Sequence, residues 1–399
     1  MWNRMLDGML TKLIGVGGLS VRYPDGQLRT YGPDPDRVAV TLHDPALPRL
    51  ILTNPDLAVG EGYMNGTLTI EGDDLRGFMA LMLRNRGAGN SHWAITLNGM
   101  LRRLVRRARQ YNPVGRAQEN VAHHYDLSAQ LYDLFLDPDK QYSCAYFRTP
   151  DDTLEQAQEQ KKHHIARKLL IQPGMRVLDI GCGWGGMGLT LARDYGAQVV
   201  GVTLSTEQHK IATARARDAG LADRVDFRLS DYRALTERFD RIVSVGMFEH
   251  VGVPHYREYF NHVRSLLAED GVALIHTIGR SDPPGATSPW VMKYIFPGGY
   301  VPALSETMQA VEKERLVATD IEVWRQHYAE TLKHWHDRFV VNEAKAAALY
   351  DERFCRMWRY YLVASEMTFR HHSQVVFQLQ LTRRQDAVPL TREYLYSTK

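Results

Sequence analysis

The residues of this chain with the clearest chemical potential lie in the segment VLDIGCGWGG, residues 177–186. An apolar strand runs into Gly181 and Gly183, and glycine lets a strand-to-helix turn approach a nucleotide without a Cβ clash. The spacing of Gly181, Gly183 and Gly186 fits both a dinucleotide site and an S-adenosylmethionine site. Asp179 favours the second, because its carboxylate attracts an ammonium and a sulfonium but repels a pyrophosphate. A purely structural glycine turn in another α/β fold is the alternative.

Two further titratable residues follow apolar strands later in the chain. His276 lies at the carboxyl end of VALIHTI, and Glu249 follows IVSVGMF. Ligands gather at the carboxyl ends of strands in open α/β sheets, so both positions favour a site. A buried carboxylate is costly unless it is paired, which favours a functional role for Glu249. A lone strand histidine is more often structural, and His276 keeps both interpretations.

These residues need a sheet to position them, and residues 176–279 predict one. Strand and helix patterns alternate there with short connections, in the order RVLDIG, GLTLARDYG, QVVGVTLS, TEQHKIATARARDAG, VDFRLS, FDRIVSVG, HYREYFNHVRSLLAEDG and GVALIHTIG. Such alternation predicts a doubly wound, Rossmann-like parallel sheet in an α/β protein. The second strand ends in VTLS, where many nucleotide-binding folds place an acidic residue on the ribose, and we expect Gln208 to substitute for it.

The remaining sequence predicts further domains around this sheet. Residues 1–85 contain short strands, among them RLILTN, and predict a small N-terminal α+β domain. Residues 86–118 predict a basic linker that includes LRRLVRRAR, and residues 119–399 the catalytic domain. Within the latter, a long aromatic insert, predicted as helical, separates Ile275 from the final strand QVVFQLQLTRR. Its aromatic side chains fit either the wall of an acyl tunnel or ordinary core packing.

The composition of the chain limits the kinds of binding partner and the cellular compartment that we expect for it. The net charge of +3 is too small to indicate nucleic acid. Cys144, Cys182 and Cys355 lack metal-ligand spacing and cannot all pair, which favours a reducing cytoplasm and predicts no metal site. No apolar run is long enough to predict a membrane span, and the N-terminus shows no cleavable signal. The arginine run fits either an anionic membrane surface or a solvated helix face or oligomer contact.

Seven ordered motifs carry a family resemblance over residues 119–390. They are NVAHHYDLSAQLYDLFLD, QYSCAYF, LDIGCGWGG, GVTLSTEQ, IVSVGMFEHVG, LIHTIG and PWVMKYIFPGG. In this order and spacing the chain resembles bacterial cyclopropane-fatty-acyl-phospholipid synthases and the related mycolic acid cyclopropane synthases. The small N-terminal domain resembles the accessory, lipid-facing domain of the longer synthases. The resemblance implies a class I S-adenosylmethionine-dependent methyltransferase fold.

The resemblance also implies a reaction and its site residues. The methyl group of S-adenosylmethionine is transferred to a cis double bond of a phospholipid acyl chain, S-adenosylhomocysteine leaves, and loss of a methyl proton closes a cyclopropane. The implied base is a bound bicarbonate ion, held by a catalytic set that maps onto Cys144, Glu249, His276, Ile278 and Tyr328. These groups suit an anion, since backbone N–H groups at Cys144 and Ile278 and the side chains of His276 and Tyr328 can donate hydrogen bonds.

The cofactor residues implied by the resemblance are spread over several connections of the sheet. They are Tyr142, Ser143, Asp179, Gly181, Cys182, Gly183, Thr203, Leu204, Ser205, Gln208, Tyr232 and Arg233, with the Tyr232 ring expected to stack on adenine. The family also has a cysteine late in the chain where this sequence has Ser365. Because methyl transfer to carbon needs no enzyme thiol, we interpret this change as tolerated.

Three functions stay open at this stage. The first is a cyclopropane synthase, and the second is a related lipid C-methyltransferase that leaves a methyl or methylene branch. The third is a lipid-binding protein without catalysis; a small-molecule methyltransferase fits the insert and the N-terminal domain less well. For the enzyme we expect a bilayer with cis-unsaturated acyl chains as partner, a homodimer, and a cytoplasmic location peripheral to the inner face of the membrane.

Overall fold

The computed structural model describes residues 1–87 and 129–396. The arginine run of LRRLVRRAR, almost all of the predicted linker and the first half of NVAHHYDLSAQLYDLFLD lie outside the described residues. Over the described residues, the helices are α1 (Trp2–Leu13), α2 (Leu47–Thr53), α3 (Pro55–Met64), α4 (Leu75–Gly87), α5 (Ala129–Asp133), α6 (Leu154–Lys168), α7 (Gly186–Tyr195), α8 (Thr206–Asp218), α9 (Tyr256–Leu266), α10 (Pro289–Tyr294), α11 (Leu304–Lys313), α12 (His327–Val341), α13 (Glu343–Leu349) and α14 (Glu352–His371).

The strands form one small and one large sheet. They are β1 (Leu19–Arg22), β2 (Leu28–Tyr31), β3 (Val38–Leu42), β4 (Leu68–Ile70), β5 (Arg176–Ile180), β6 (Gln198–Thr203), β7 (Val225–Leu229), β8 (Phe239–Val245), β9 (Leu267–Arg280), β10 (Val317–Trp324) and β11 (Gln374–Thr382). The small sheet has the order β2-β1-β3-β4, and the large sheet has the order β10-β11-β9-β8-β5-β6-β7.

The chain divides into two compact units. In its described part, one unit contains residues 1–87 with Ala286–Pro297 and Leu332–Ser373, and the other contains residues 129–285, Gly298–Thr331 and residues 374–396. This division differs from the predicted boundaries, because the inserted helices α10, α13 and α14 fall in the same unit as the N-terminal residues. Residues of α14 bond to residues of that N-terminal part; for example, the guanidinium of Arg76 pairs with Glu366 at 2.9 Å.

The large sheet confirms the predicted doubly wound α/β fold. Strands β5 to β9 run parallel to one another, whereas β11 is antiparallel to both β9 and β10. Strand β5 is buried except at Arg176, as expected of a central parallel strand covered on both faces. Leu178 and Ile180 pack on one face with residues of α9, and Val177 packs on the other with residues of α6 to α8.

The chain order of these strands creates a crevice. After β5 the chain continues to β6 and β7 on one side, and then returns to β8 on the other side of β5. Ligands of open α/β sheets bind outside the carboxyl ends of the strands at such a reversal. The sheet therefore places the segments after β5, β6, β8 and β9 where a site is expected.

Two local predictions are wrong. RLILTN was predicted as a strand but lies in α2, where Pro48 occupies the first turn and Leu47 and Ile51 are buried one turn apart. The insert was predicted as helical but also contains β10, which pairs with β11 at the edge of the large sheet. Among the described helices, none is long and apolar enough to cross a membrane.

Candidate active site

The glycine turn, residues 181–185, joins β5 to α7. The N–H groups of Gly181 and Cys182 donate to the carbonyl of Val202 at 2.9 and 3.0 Å, which fastens the turn to the end of β6. Gly181 has φ +81° and Gly183 has φ +54°, a region that disfavours side chains. A Cβ on Gly183 would meet no described atom within 4 Å, so this part of the backbone is open to a ligand.

Asp179 lies two residues before the turn and is almost completely buried. Its Oδ2 atom has no hydrogen-bond partner in the described part of the chain. Burial raises the pKa of this carboxyl to about 7. A carboxylate in such a position is stabilised by a cation from a ligand, which is the role predicted for Asp179 towards the ammonium and sulfonium of the cofactor.

The segment after β6 forms the cap of α8. Ser205 caps the helix by accepting from the Gln208 N–H at 3.2 Å, and the Thr203 hydroxyl donates to Gln208 Oε1 at 2.9 Å. Leu204 lies between these bonded residues. The Oε1 atom of Gln208 is thus already engaged, and its predicted contact with a ribose stays a prediction.

Tyr232 and Arg233 follow β7 in a short 3-10 turn. Asp231 accepts from both the N–H and the guanidinium of Arg233, with the closest N–O distance 2.7 Å. The Tyr232 ring lies edge-on to Tyr259, with 5.6 Å between ring centroids. The turn is therefore held by its own contacts, and stacking of Tyr232 on adenine remains a prediction.

Tyr142 and Ser143 come from the segment before α6. The Tyr142 ring packs edge-on against Tyr132 at 5.2 Å, and Tyr132 packs in the same way against Trp184 of the glycine turn at 5.0 Å. The Ser143 hydroxyl accepts a hydrogen bond from Lys161 at 2.7 Å. This aromatic chain places the Tyr142 segment beside the glycine turn.

A polar clamp that sequence reasoning missed also ties that segment to the turn. Arg215 donates to the Trp184 carbonyl at 2.6 Å and pairs with Asp139, which also accepts from Lys162 at 2.8 Å. A Cβ at Gly186 would meet Gln141 Nε2 at 2.3 Å, so a side chain there would have to displace the polar side chains that join the two segments. Gly186 therefore serves close approach of protein to protein.

Glu249 lies in a 3-10 turn after β8 and is buried. Its Oε1 accepts from the Ile278 N–H of β9 at 2.6 Å, whereas its Oε2 has no hydrogen-bond partner among the described residues. Burial raises the pKa of Glu249 to about 7, opposed by its backbone hydrogen bonds and by the nearby Thr277 side chain. The carboxyl can therefore exchange a proton near neutral pH.

His276 lies on β9 two residues before Ile278. Gln378 of β11 places its Nε2 at 3.1 Å from Nδ1 of His276. Nδ1 accepts in this arrangement, which puts the ring proton of the neutral imidazole on Nε2. Nε2 has no hydrogen-bond partner in the described residues, and burial lowers the pKa of His276 well below its ordinary value. We name Glu249, His276 and Ile278 the Glu249 cluster.

Cys144 and Tyr328, the other two predicted catalytic residues, lie on neighbouring segments. Cys144 is buried, its thiol donates to the Ala145 carbonyl at 3.3 Å, and burial raises the pKa of that thiol. The Ala145 N–H donates to Thr331 Oγ1 at 3.0 Å, one helical turn after the buried Tyr328 in α12. In the described residues, no hydrogen bond joins Cys144 to the Glu249 cluster. Ser365 is half-buried in α14, in the other unit.

Comparison with known proteins decides the family. A family model described as mycolic acid cyclopropane synthetase matches residues 114–379. A second model, described as a domain of unknown function, matches residues 5–89.

The chain belongs to the mycolic acid cyclopropane synthetase family.

Relatives of this cyclopropane synthetase family member cover most of its length. It is 40% identical over 349 residues to the cyclopropane-fatty-acyl-phospholipid synthase of Escherichia coli strain K12, covering 86% of this chain and 87% of the relative. It is 36% identical over 398 residues to a probable fatty acid methyltransferase of Pseudomonas putida, covering 95% and 96%. These matches confirm the predicted resemblance. The protein is an S-adenosylmethionine-dependent methyltransferase of this family that acts on lipids.

Solved structures agree with this assignment. The cyclopropane synthase MmaA2 of Mycobacterium tuberculosis is 33% identical, with a TM-score of 0.64, and the match covers 68% of this chain and 99% of that one. Coclaurine N-methyltransferase matches with a TM-score of 0.67 over 81% of this chain and 98% of its own, but at 18% identity it shows the fold alone. The predicted class I methyltransferase fold is confirmed.

Proposed function

We propose that this enzyme converts a cis double bond of an unsaturated phospholipid acyl chain into a cyclopropane ring. The π electron pair of the alkene attacks the sulfonium methyl of S-adenosylmethionine, and the carbon–sulfur electron pair stays on sulfur to give S-adenosylhomocysteine. A proton then leaves the transferred methyl group, and its C–H electron pair forms the second ring bond to the cationic carbon. Atoms and charge balance with one proton released.

One observation carries this proposal: the Glu249 cluster combines a buried carboxyl and a buried imidazole, each with one polar atom that has no partner in the described residues. Glu249 follows β8, His276 and Ile278 lie in the carboxyl-terminal part of β9, and the glycine turn follows β5; these three strands are consecutive in the sheet. A methyl donor and a proton-accepting group are both needed for ring closure, and this sheet edge offers residues suited to each.

The residues of the glycine turn fit S-adenosylmethionine. This cofactor, when bound, supplies an electrophilic methyl group on a sulfonium. Open backbone at Gly183 allows close approach. The carboxyl of Asp179, whose Oδ2 has no hydrogen-bond partner among the described residues, offers a counter-charge for the ammonium and sulfonium. Binding in a buried crevice would also exclude water from the carbocation.

The residues of the Glu249 cluster fit a small anion such as bicarbonate, which would serve as the proton acceptor. His276 would offer its Nε2 proton, Tyr328 its hydroxyl and Cys144 its backbone N–H, and Glu249 would relay the proton. The Ile278 N–H already donates to Glu249. We therefore assign Ile278 to holding the Glu249 carboxyl, and only through it to holding the anion.

A methyl- or methylene-branched product is the second candidate. The Pseudomonas putida relative is named a probable fatty acid methyltransferase, and a relative from Mycobacterium tuberculosis, 34% identical over 405 residues, is named a tuberculostearic acid methyltransferase. Both products proceed through the same methylated cation and differ in the proton that is lost or in a later reduction.

The decisive test is product analysis. Purified enzyme is incubated with S-adenosylmethionine and vesicles of cis-unsaturated phospholipid, and the fatty acids are analysed by gas chromatography with mass spectrometry. We expect a gain of one CH₂ with loss of the alkene, and a rate that falls when dissolved carbonate is removed by degassing and restored by adding bicarbonate. A branched alkene would establish the second candidate, and an unchanged lipid would overturn both.

We also propose that the enzyme reaches its substrate as a homodimer bound peripherally to the bilayer surface of the cytoplasmic face. A substrate held in a bilayer supports surface binding, and the basic run predicted from sequence supports an anionic leaflet. Light scattering should give twice the mass of 45.6 kDa. Co-sedimentation should be stronger with anionic than with zwitterionic vesicles and should weaken with salt.

A further inference from the structure

Lys161 occupies an unusual position on α6. It lies on the buried stripe of this helix with Leu154, Ala157 and Ile165, and its exposed fraction is 0%. Its ammonium donates to the Ser143 hydroxyl at 2.7 Å. In the described part of the chain it forms no ion pair.

A second fully buried lysine on the same helix is compensated in a different way. Lys168, two turns later, pairs with Glu322 of β10 at 2.5 Å and lies 3.5 Å from Asp320. Charge buried without such a partner is costly. Burial lowers the pKa of Lys161 to about 8, and the more distant charge of Asp137 opposes this shift.

When Lys161 is charged, its hydrogen bond with Ser143 has only one possible direction. An ammonium has three donors and no acceptor, so Ser143 Oγ must accept. The hydroxyl proton of Ser143 is not used in this bond and can be donated to another acceptor. The charge of Lys161 also reaches the proposed anion site. It lowers the pKa of Cys144, against the larger effect of burial, and it lowers the pKa of His276, in the same direction as the larger effect of burial.

We propose that Lys161 is a positioning residue that directs the Ser143 hydroxyl towards a carboxylate-type anion and supplies its counter-charge. Two sources offer this chemistry: the amino-acid carboxylate of the cofactor and the bicarbonate ion. This inference rests on the proposed function. It goes beyond the proposed function by assigning a buried cation to the anion-binding residues.

The first arm of the test measures binding without lipid. Calorimetry compares S-adenosylhomocysteine, which carries the carboxylate, with 5′-methylthioadenosine, which lacks the amino-acid portion. We expect Lys161→Met to weaken S-adenosylhomocysteine about ten- to a hundredfold, the range of a charge-assisted hydrogen bond, with 5′-methylthioadenosine changed less than about twofold. Ser143→Ala should weaken the same ligand, and the double variant should lose less than the sum of both effects.

The second arm measures turnover against bicarbonate concentration. If the free anion is the ligand, Lys161→Met raises the concentration needed for half-maximal rate about tenfold or more and leaves S-adenosylhomocysteine affinity unchanged. Equal weakening of both nucleosides would show a merely structural role and overturn the proposal, as would no change in either arm. Binding in the first arm is measurable even if no ring is formed, which separates this inference from the proposed function.

Lys168→Met is the matched control. It removes an equally buried lysine from the same helix, where its partners are Glu322 and Asp320 instead of Ser143. We expect it to lower the melting temperature, because it leaves Glu322 with one cation fewer, but to keep the ratio of the two nucleoside affinities. A change of that ratio in Lys168→Met would overturn the assignment to Lys161.

Discussion

The glycine turn is made mainly of backbone, whereas the Glu249 cluster is made of buried side chains. In the turn, the N–H groups of Gly181 and Cys182 are fixed by the Val202 carbonyl, and Gly183 stays open. In the Glu249 cluster, Ile278 of β9 donates to the Glu249 carboxyl, and Gln378 of β11 bonds to His276. Each bond joins residues that are far apart in the chain.

The difference separates two ways of preparing a site. A glycine turn has its shape before the ligand arrives, so binding costs little rearrangement there. The Glu249 cluster instead keeps two polar atoms buried with no hydrogen-bond partner in the part of the chain that the structure describes. Such atoms lower stability but are available to a reacting group. Changes in the turn should therefore affect cofactor affinity, and changes in the cluster should affect turnover.

Glu249→Gln should cause the largest loss. The amide still accepts from the Ile278 N–H but cannot take up a proton, so turnover should fall by about 10²–10⁴ as for a lost general acid–base group. Product analysis measures the rate, and calorimetry should show S-adenosylhomocysteine affinity almost unchanged. A variant that keeps turnover but loses the cofactor would reverse the proposed contrast.

Asp179 makes the turn sensitive to pH. Burial raises the pKa of Asp179 to about 7, and only the carboxylate attracts the cationic cofactor. Affinity for S-adenosylmethionine should therefore rise about tenfold per pH unit up to about 7 and then level off. Asp179→Asn should bind more weakly at pH 8 and give a flat profile. A sloping profile in this variant would assign the titration to another group, such as Glu249.

The same shift predicts a stability change with the opposite sign. The folded pKa of Asp179, about 7, lies above an unfolded value of about 4, so the folded protein binds the extra proton between these values. The resulting stability is complete below the unfolded pKa and is lost as the pH rises through 7. Urea titrations of the free protein should show a smaller pH-dependent loss over this window in Asp179→Asn.

Gly183→Ala and Gly220→Ala form a matched pair. Both glycines have positive φ, +54° and +67°, and a Cβ on either would meet no described atom within 4 Å. Each substitution should destabilise the protein by about 1–2 kcal/mol, the cost of a left-handed residue. Only Gly183→Ala should weaken S-adenosylhomocysteine, about tenfold. Equal affinities in the two variants would mean that the cofactor does not approach Gly183.

Gln378→Met should have the smallest effect. It removes the hydrogen bond to His276 Nδ1 and leaves a buried ring less firmly held, which should lower turnover about fivefold, the value of one neutral hydrogen bond. Cofactor affinity should not change. If calorimetry showed the larger effect on cofactor binding, the Glu249 cluster would not be independent of the turn.

Local sequence predicted the glycine turn because glycine spacing fixes backbone shape directly. It also predicted the alternation around β5 to β9, since each strand and helix there shows its own period. It failed at α2, where a short apolar run fits a strand and a helix equally. It also missed β10, whose exposed Ile321 and Val323 belong to an edge strand with only one neighbour.

The supporting residues of the site were harder to predict because they depend on which elements become neighbours. Gln378 acts on His276 only because β11 pairs with β9, a pairing across about a hundred residues of chain. Lys161 did leave a signal: it continues the buried spacing of Leu154, Ala157 and Ile165 on α6. A lysine at a core-facing position of an amphipathic helix is worth testing as a buried charge.

Within the described residues, the chain passes between its two units at residues 285/286, 297/298, 331/332 and 373/374. This division has a consequence for any shortened form of the protein. Removing the first 87 residues would take Arg76 from Glu366 and Met64 from the indole N–H of Trp290. Helices α10 and α14 would then expose to water the surface that now contacts the N-terminal residues. We therefore expect that grafting residues 1–87 onto another chain would require transplanting α10 and α14 with them.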